Sequence, residues 1–355
     1  RDLPGGTDAD RKEFLNDLTS LANANGGDLL FGIAEGVDGA ASSVPGLEPT
    51  HAEGAILRLE NIMRDGVEPR LPPVKIRRVQ IAGGREVLMF RVPASLTAPH
   101  RVTFKNSGRF FTRNSRGKYE MDTFELRHSF TSSEQVPARL RALHAEAISA
   151  AYGGLPFRLR DSANAIVSIV PLRLLRESRQ VAVTRENALA PYAPGIGHKF
   201  LLTLEGVVIH SNLDEPNPAV ASVWDFTPAF ARTFWEGRID AGWELGGPRS
   251  MGKLEAVPIA FPDKFEKGLN DMFTSGVSKL QALGVEGPWV VMVTVMGIEK
   301  YALAKGNNYL SIEAWRSRAS LPELVLENPH PNALLPVFKA FWLLFGEERP
   351  SNRGE

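Results

Sequence analysis

Phe14-Leu15-Asn16-Asp17-Leu18-Thr19-Ser20-Leu21-Ala22-Asn23-Ala24-Asn25-Gly26-Gly27, continuing into Asp28-Leu29-Leu30-Phe31-Gly32-Ile33-Ala34-Glu35, is the stretch on which the fold turns. Phe14, Leu18, Leu21, Ala22 and Asn25 recur at helical spacing, and Gly26-Gly27 stop the helix. Upstream, Thr7 with Asp10 three positions on makes a capping-box start, Asp standing in for the usual Glu or Gln. Residues 29–33 are a short apolar run bounded by glycines, which reads as a buried central strand ending at Glu35-Gly36. The glycine pair lets helix and strand pack closely, and its plainest role is a structural corner whose turn Asn23 and Asn25 cap.

Working outward, a second helix is expected over about residues 50–65, closed by Pro69 and Pro72-Pro73. Strands are expected at 74–81 and 86–92, joined at Gly83-Gly84, with Arg77-Arg78 marking a bulge that turns one arginine outward. A further pair, 101–105 and 109–113, flanks the hairpin signal Asn106-Ser107-Gly108. Alternation puts Val102, Phe104, Phe110 and Thr112 on one face, and Arg101, Thr103, Lys105, Arg109, Phe111 and Arg113 on the other, which Arg116 and Lys118 extend.

A long helix over 133–151 ends at Gly153-Gly154. Beyond it come a strand at 165–172, a hairpin of 199–204 with 207–211, and a turn at Glu236-Gly237 within 234–245. They are followed by a helix capped by Asp263, an apolar strand at 288–298 and a terminal helix at 334–345, with no internal repeat. The fold class is therefore α+β. An N-terminal mixed sheet with helices spans 1–130, a connecting helix 131–153, and a second α+β domain with antiparallel hairpins 154–346.

The length of 355 residues fits about two domains at roughly 150 residues each. No run approaches the roughly 18 apolar residues a membrane helix needs. The chain has no cysteine, which excludes disulfides, thiolate zinc sites and cysteine nucleophiles and fits a reducing, cytoplasmic location. It opens on Arg1-Asp2-Leu3-Pro4, which resembles no signal peptide, so its start is expected to lie upstream. Lys/Arg and Asp/Glu balance at 41 each, but the charge is sorted. Residues 1–69 carry 5 Lys/Arg against 13 Asp/Glu, whereas 70–118 carry 12 Lys/Arg against the single acid Glu86. Such asymmetry points to a polyanion partner.

The series Phe14-Leu15, Leu21 to Gly27, then Leu29 to Glu35 resembles the Schlafen AlbA-like family, whose pattern A-F-A-N-x-x-G-G-x-L-L-I-G-V-x-[DE] joins a helix to a central strand. Phe110-Phe111-Thr112-Arg113-Asn114-Ser115 is similar to that family's Y-x-R-x-G-S hairpin, followed by Tyr119-Glu120-Met121-Asp122. The resemblance covers about residues 1–130. It implies a nucleic-acid-binding protein, RNA ahead of DNA. The implied activity is a metal-dependent endoribonuclease acting on structured RNA such as tRNA, in stress or anti-phage defence, and working as a homodimer. The other reading is a non-catalytic DNA- or RNA-binding regulator whose C-terminal domain senses a ligand or oligomerises.

In nucleolytic members three carboxylates hold a divalent ion, and Glu35 matches the acid at the strand end, as catalytic residue and as ligand for Mg or Mn. The other two belong to an E-x-x-x-x-E-F-K segment that the resemblance places, with an N-terminal strand, before Arg1. One carboxylate cannot fix such an ion, and Glu35 also reads as a solvated strand-end acid. For binding, Arg101, Lys105, Arg109, Arg113, Arg116 and Lys118 supply phosphate contacts, and Phe111 is either a stacking ring or a core residue. With no recognition helix, backbone and shape contacts are expected over base readout.

Three further signals are weak. Gly247-Pro248-Arg249-Ser250-Met251-Gly252-Lys253 fits seven positions of a phosphate loop, but Leu254 lacks the hydroxyl that Mg needs, so ATP is not expected. The histidines at 51, 100, 128, 144, 198, 210 and 330 make no metal-spaced pair, and His100 reads as exposed or as touching phosphate. The tryptophans read as core, with Trp315-Arg316-Ser317-Arg318 as an outlying basic segment.

Overall fold

The computed structural model describes residues 3–36, 40–175, 180–193, 197–211, 225–251, 254–305, 310–326, 329–330 and 332–351. The chain forms two compact units, Arg1–Pro137 and Ala138–Glu355.

In the first unit the order is α1 (Asp8–Asn23), β1 (Gly27–Phe31), β2 (Ala34–Glu35), β3 (Ala41–Ser43), α2 (Pro49–Gly66) and β4 (Val67–Glu68). Then come β5 (Lys75–Gln80), β6 (Glu86–Val92), β7 (Arg101–Val102), β8 (Arg109–Asn114), β9 (Gly117–Glu120) and α3 (Thr123–Glu134). The Thr7 hydroxyl accepts from the Asp10 N–H at 3.2 Å while the Asp10 carboxylate accepts from Thr7, so the capping box is present with Asp in the Glu position.

Strands β1, β6 and β5 form an antiparallel sheet in that order. One face carries Leu29, Phe31, Leu88 and Phe90, which pack with Phe14 and Leu18 of α1 and Ala55 and Leu59 of α2. Phe14, Phe31 and Phe90 meet one another with ring centroids 5.6 to 6.2 Å apart.

Strand β1 is therefore an edge strand in the described structure, not the buried central strand the apolar run suggests. Leu30 is 36% exposed on the opposite face, because the helices cover one side of the sheet only. The Arg77-Arg78 bulge is also absent: β5 pairs with β6 in unbroken register from Lys75↔Arg91 to Gln80↔Glu86. Arg78 escapes the core by turning its guanidinium to Glu86 at 2.7 Å. A second sheet runs β4-β7-β8-β9.

The second unit is entered by α4 (Val136–Ser149), then β10 (Phe157–Leu159), β11 (Asn164–Pro171), β12 (His198–Leu202), β13 (Gly206–Ser211), β14 (Asp225–Thr227), β15 (Ala229–Phe234) and β16 (Ile239–Glu244). There follow β17 (Gly246–Met251), β18 (Leu254–Ala260), α5 (Pro262–Ala282), β19 (Trp289–Met296), β20 (Ala302–Ala304), β21 (Leu310–Glu313), β22 (Arg318–Ser320), β23 (Leu324–Leu326) and α6 (Leu335–Leu343). The main sheet runs β12-β13-β15-β16-β11-β19, with β22 and β23 both pairing along β19.

Both faces of β11 are buried. Ala165, Val167 and Ile169 share a core with Phe265, Leu269, Met272 and Phe273 of α5, while Ile166 packs with Ala147 and Ile148 of α4. The helix expected over 133–151 is α4, which is built into the second unit, and α3 before it buries no residue. Asp263 lies in the first turn of α5 behind Phe261 at the cap and Pro262, rather than capping it.

Candidate nucleic-acid interface

The corner after α1 positions everything downstream. Asn23 is buried, and its Nδ2 donates to the carbonyl oxygens of His100 and Phe111 at 2.9 and 2.8 Å. The His100 N–H returns a bond to Asn23 Oδ1 at 2.7 Å. Asn23 therefore clamps the chain entering β7 and the middle of β8 to the end of α1, beyond the turn-capping role its place suggests. His100 is fully buried with Nδ1 2.7 Å from the Pro69 carbonyl, so it is neither exposed nor a phosphate contact. Gly26 sits at φ +75°, and a Cβ there would lie 2.7 Å from the Val92 oxygen and 2.8 Å from the Ala94 nitrogen. Only glycine supplies both the angle and the room.

The basic hairpin differs from the alternation pattern. Strand β7 has only two residues, paired Arg101↔Phe110 and Val102↔Arg109, and 103–108 contains a short 3₁₀ turn, Phe104–Asn106, in which Lys105 and Asn106 hold positive φ of 50° and 55°. The break in the alternation separates Arg101 from Arg109 and Arg113. Strand β8 keeps Arg109, Phe111 and Arg113 on one side, next to Glu120 and Lys118 of β9. That side faces α1: Phe111 packs with Leu15, Val67 and Val102, and the Lys118 ammonium lies 6.0 Å from its ring centroid. The Phe111 ring is committed to the interior and is not a free stacking platform.

Most of the expected cations already have a carboxylate partner. Arg101 meets Glu68 at 2.6 Å, Lys105 meets Asp8 at 3.3 Å and Arg109 meets Glu120 at 3.2 Å. Lys118 bridges Glu13 and Asp17 of α1 at 2.7 and 2.8 Å, with its side chain only 18% exposed. The charge sorted along the sequence is thus largely matched within the fold, and residues 1–137 carry 18 Lys/Arg and 18 Asp/Glu. Arg113 and Arg116 differ. Both are exposed around the tight β8–β9 turn and have no ion pair among the described residues. The Arg116 N–H donates to Asn114 Oδ1 at 2.9 Å, which fixes the turn.

Glu35 is exposed on β2 and separated from β1 by Gly32 at φ +89°. Its residue pairs with Ala41 of β3. Among the described residues no group of three His, Cys, Asp or Glu side chains is arranged to hold a metal ion, and Asp38, near Glu35 in the chain, lies outside them. Asp10, Glu13 and Asp17 line one cleft of about 240 Å³ with Phe14 and Phe31, but their partners are Thr7 and Lys118.

In the second unit a buried polar cluster escaped sequence reasoning, because its members lie far apart in the chain. His144 of α4 bonds through Nδ1 to the Ser168 hydroxyl and through Nε2 to the Thr294 hydroxyl, both at 2.9 Å. Burial first, then the Arg318 charge, brings the His144 pKa down to about 4. Asp240 stands across from Ser168 in the sheet and from Arg232 on its other side. Burial raises it to about 6, against the pull of Arg238, Ser168 and Arg232, and Glu146 adds to the rise. Ser168 is fully buried, so this is a structural network and not an accessible nucleophile. The phosphate-loop match falls on β17 and β18, an antiparallel pair, with Gly252 and Lys253 outside the described residues. Trp224 is likewise outside them, while Trp243, Trp289 and Trp342 are core and Trp315 is 60% exposed.

With this geometry in view, residues 5–122 match the family model described as Schlafen, AlbA_2. The N-terminal unit is a Schlafen AlbA-like domain. No curated protein matches the chain. Among solved structures, it is similar to the DIP2311 protein from Corynebacterium diphtheriae at 18% identity and a TM-score of 0.25, over 34% of this chain and 22% of that one. The Schlafen AlbA-like domain contains every residue considered above for nucleic-acid contact. Among the described residues, no helix is long and apolar enough to cross a membrane.

Proposed function

We propose that the Schlafen AlbA-like domain binds nucleic acid, RNA ahead of DNA, with Arg113 and Arg116 as its principal phosphate contacts. One observation carries this reading: these two arginines flank the β8–β9 turn, exposed and free of ion pairs among the described residues, in a domain whose other hairpin cations are matched. A guanidinium without a carboxylate partner retains its full attraction for phosphate. Arg101, Lys105 and Arg109 are secondary contacts, because a phosphate must displace a carboxylate to reach them.

The hydrolytic reading rests on Glu35 and on the family resemblance, and the described residues assemble no ion site there, so binding is the better-supported role. Charge reversal at Arg113 and Arg116 is expected to weaken affinity for a labelled single-stranded RNA and to reduce the steepness of its salt dependence. Unchanged affinity would remove the hairpin from the interface.

A further inference from the structure

The outer face of the β1-β6-β5 sheet carries a second set of unmatched cations. Cross-strand register places Lys75, Arg91 and Asp28 in one row and Arg77, Met89 and Leu30 in the next, on the face opposite the helices. Arg91 holds Asp28 with both nitrogens, at 2.9 and 3.1 Å. Lys75 and Arg77 are exposed and have no ion pair among the described residues. Of the twelve cations in residues 70–118, seven are ion-paired among the described residues: Arg78, Arg85, Arg91, Arg101, Lys105, Arg109 and Lys118. The other five are Arg70, the Arg113/Arg116 pair and the Lys75/Arg77 pair.

We infer that this sheet face is a second contact for the nucleic-acid backbone, in addition to the β8–β9 turn. The inference rests on the reading of the domain as a nucleic-acid binder. Residues two apart on a strand project to the same side about 7 Å from each other, a separation at which both cations can meet phosphates of one backbone. Beside the two cations lie Leu30, Met89 and Val79, with Leu30 36% and Val79 46% exposed. That strip seats sugars and base edges, while Lys75 and Arg77 meet phosphates along the open edge of β5. Three cations stand against one carboxylate on this face, so its charge favours a polyanion over an acidic or neutral patch of a second copy. The face offers no aromatic ring, so its contribution is indifferent to sequence.

The test compares the full chain with Lys75→Glu/Arg77→Glu and with Arg113→Glu/Arg116→Glu, by fluorescence anisotropy on labelled oligo(U) between about 50 and 200 mM salt. Each double variant is expected to bind about tenfold or more weakly, with a log–log salt slope shallower by about 1.4, two contacts at about 0.7 each for a single strand. Lys75→Gln/Arg77→Gln is expected to lie between, with thermal unfolding unchanged, which separates charge from folding. If only the Arg113/Arg116 variant weakens, the sheet-face contact is overturned and the hairpin reading stands. If the wild type itself fails to bind, both fall. A Lys75/Arg77 variant that alters oligomeric state and leaves oligo(U) affinity untouched would make the face a contact between copies, and that also overturns the inference.

Discussion

Asn23 and His100 hold each other twice, side-chain amide to carbonyl at 2.9 Å and backbone N–H to side-chain oxygen at 2.7 Å, in a site from which water is excluded. With the third bond to the Phe111 carbonyl, one side chain fastens α1 to both strands of the basic hairpin. Asn23→Ala leaves a buried N–H and two carbonyls without their partner, and is expected to cost about 3 kcal/mol at roughly 1–3 kcal/mol per orphaned group. Asn23→Asp is expected to do no better, because a carboxylate cannot donate to either carbonyl. Urea denaturation measures both, and a loss below about 1 kcal/mol for the alanine variant would show that the hairpin does not depend on the clamp.

Gly26→Ala is expected to destabilise by more than about 1 kcal/mol, since it combines a left-handed backbone with a Cβ pressed on the Val92 oxygen and the Ala94 nitrogen. Gly83→Ala, also at positive φ but with open space around its Cβ position, isolates the backbone contribution and is expected to cost less. Equal losses at the two sites would reject close approach as the reason for the glycine at 26.

The buried pair in the second unit gives opposed pH dependences. His144 has its pKa lowered from 6.5 to about 4, so its contribution is present above pH 6.5 and is lost as pH falls towards 4. Asp240 has its pKa raised from 3.8 to about 6, so its contribution is present below pH 3.8 and is lost as pH rises through 6. Between about pH 4 and 6 the two slopes, each up to about 1.4 kcal/mol per pH unit, oppose one another. The groups around them are Arg318 and Glu323 at His144, and Arg238, Arg232 and Glu146 at Asp240. Asp240→Asn is expected to lose stability more steeply than wild type on acidification across this window, and His144→Gln to gain it. Denaturation midpoints at a series of pH values decide the matter, and parallel profiles for all three proteins would sink the assignment.

Glu35→Ala is expected to leave RNA affinity unchanged, and EDTA to have no effect on binding, because the proposed contacts are guanidinium groups that meet phosphate without an ion between them. Incubation of tRNA with the full chain and Mn²⁺ is the direct check. Cleavage that disappears in the alanine variant would return Glu35 to a hydrolytic role.

Local rules were legible in the sequence where the cause is local. The capping box at Thr7 and Asp10, the glycine corner and the β5–β6 turn each follow from a few neighbouring residues. The identity of the N-terminal domain was legible too, since two ordered motifs lie in one short span. What the sequence could not show was pairing across long separations. Leu29, Leu30 and Phe31 look equally apolar, and only the placement of α1 and α2 on one side makes Leu30 the exposed one. Arg101 and Arg109 look like members of one basic face until Glu68 and Glu120 arrive opposite them. His144, Ser168 and Thr294 carry no spacing signal, because a helix and two strands bring them together.

The seating of Asp8, Glu68 and Glu120 on Lys105, Arg101 and Arg109 has a consequence for how the domain chooses its partners. These carboxylates are tethered competitors, present at a local concentration that no free polyanion matches. A phosphate that only drifts past gains little by exchanging one anion for another at such a cation. On the proposed binding role, a ligand whose shape reaches the exposed arginines of the β8–β9 turn would be held there long enough to make the exchange, and the domain's own acids would convert a generic attraction into discrimination by fit.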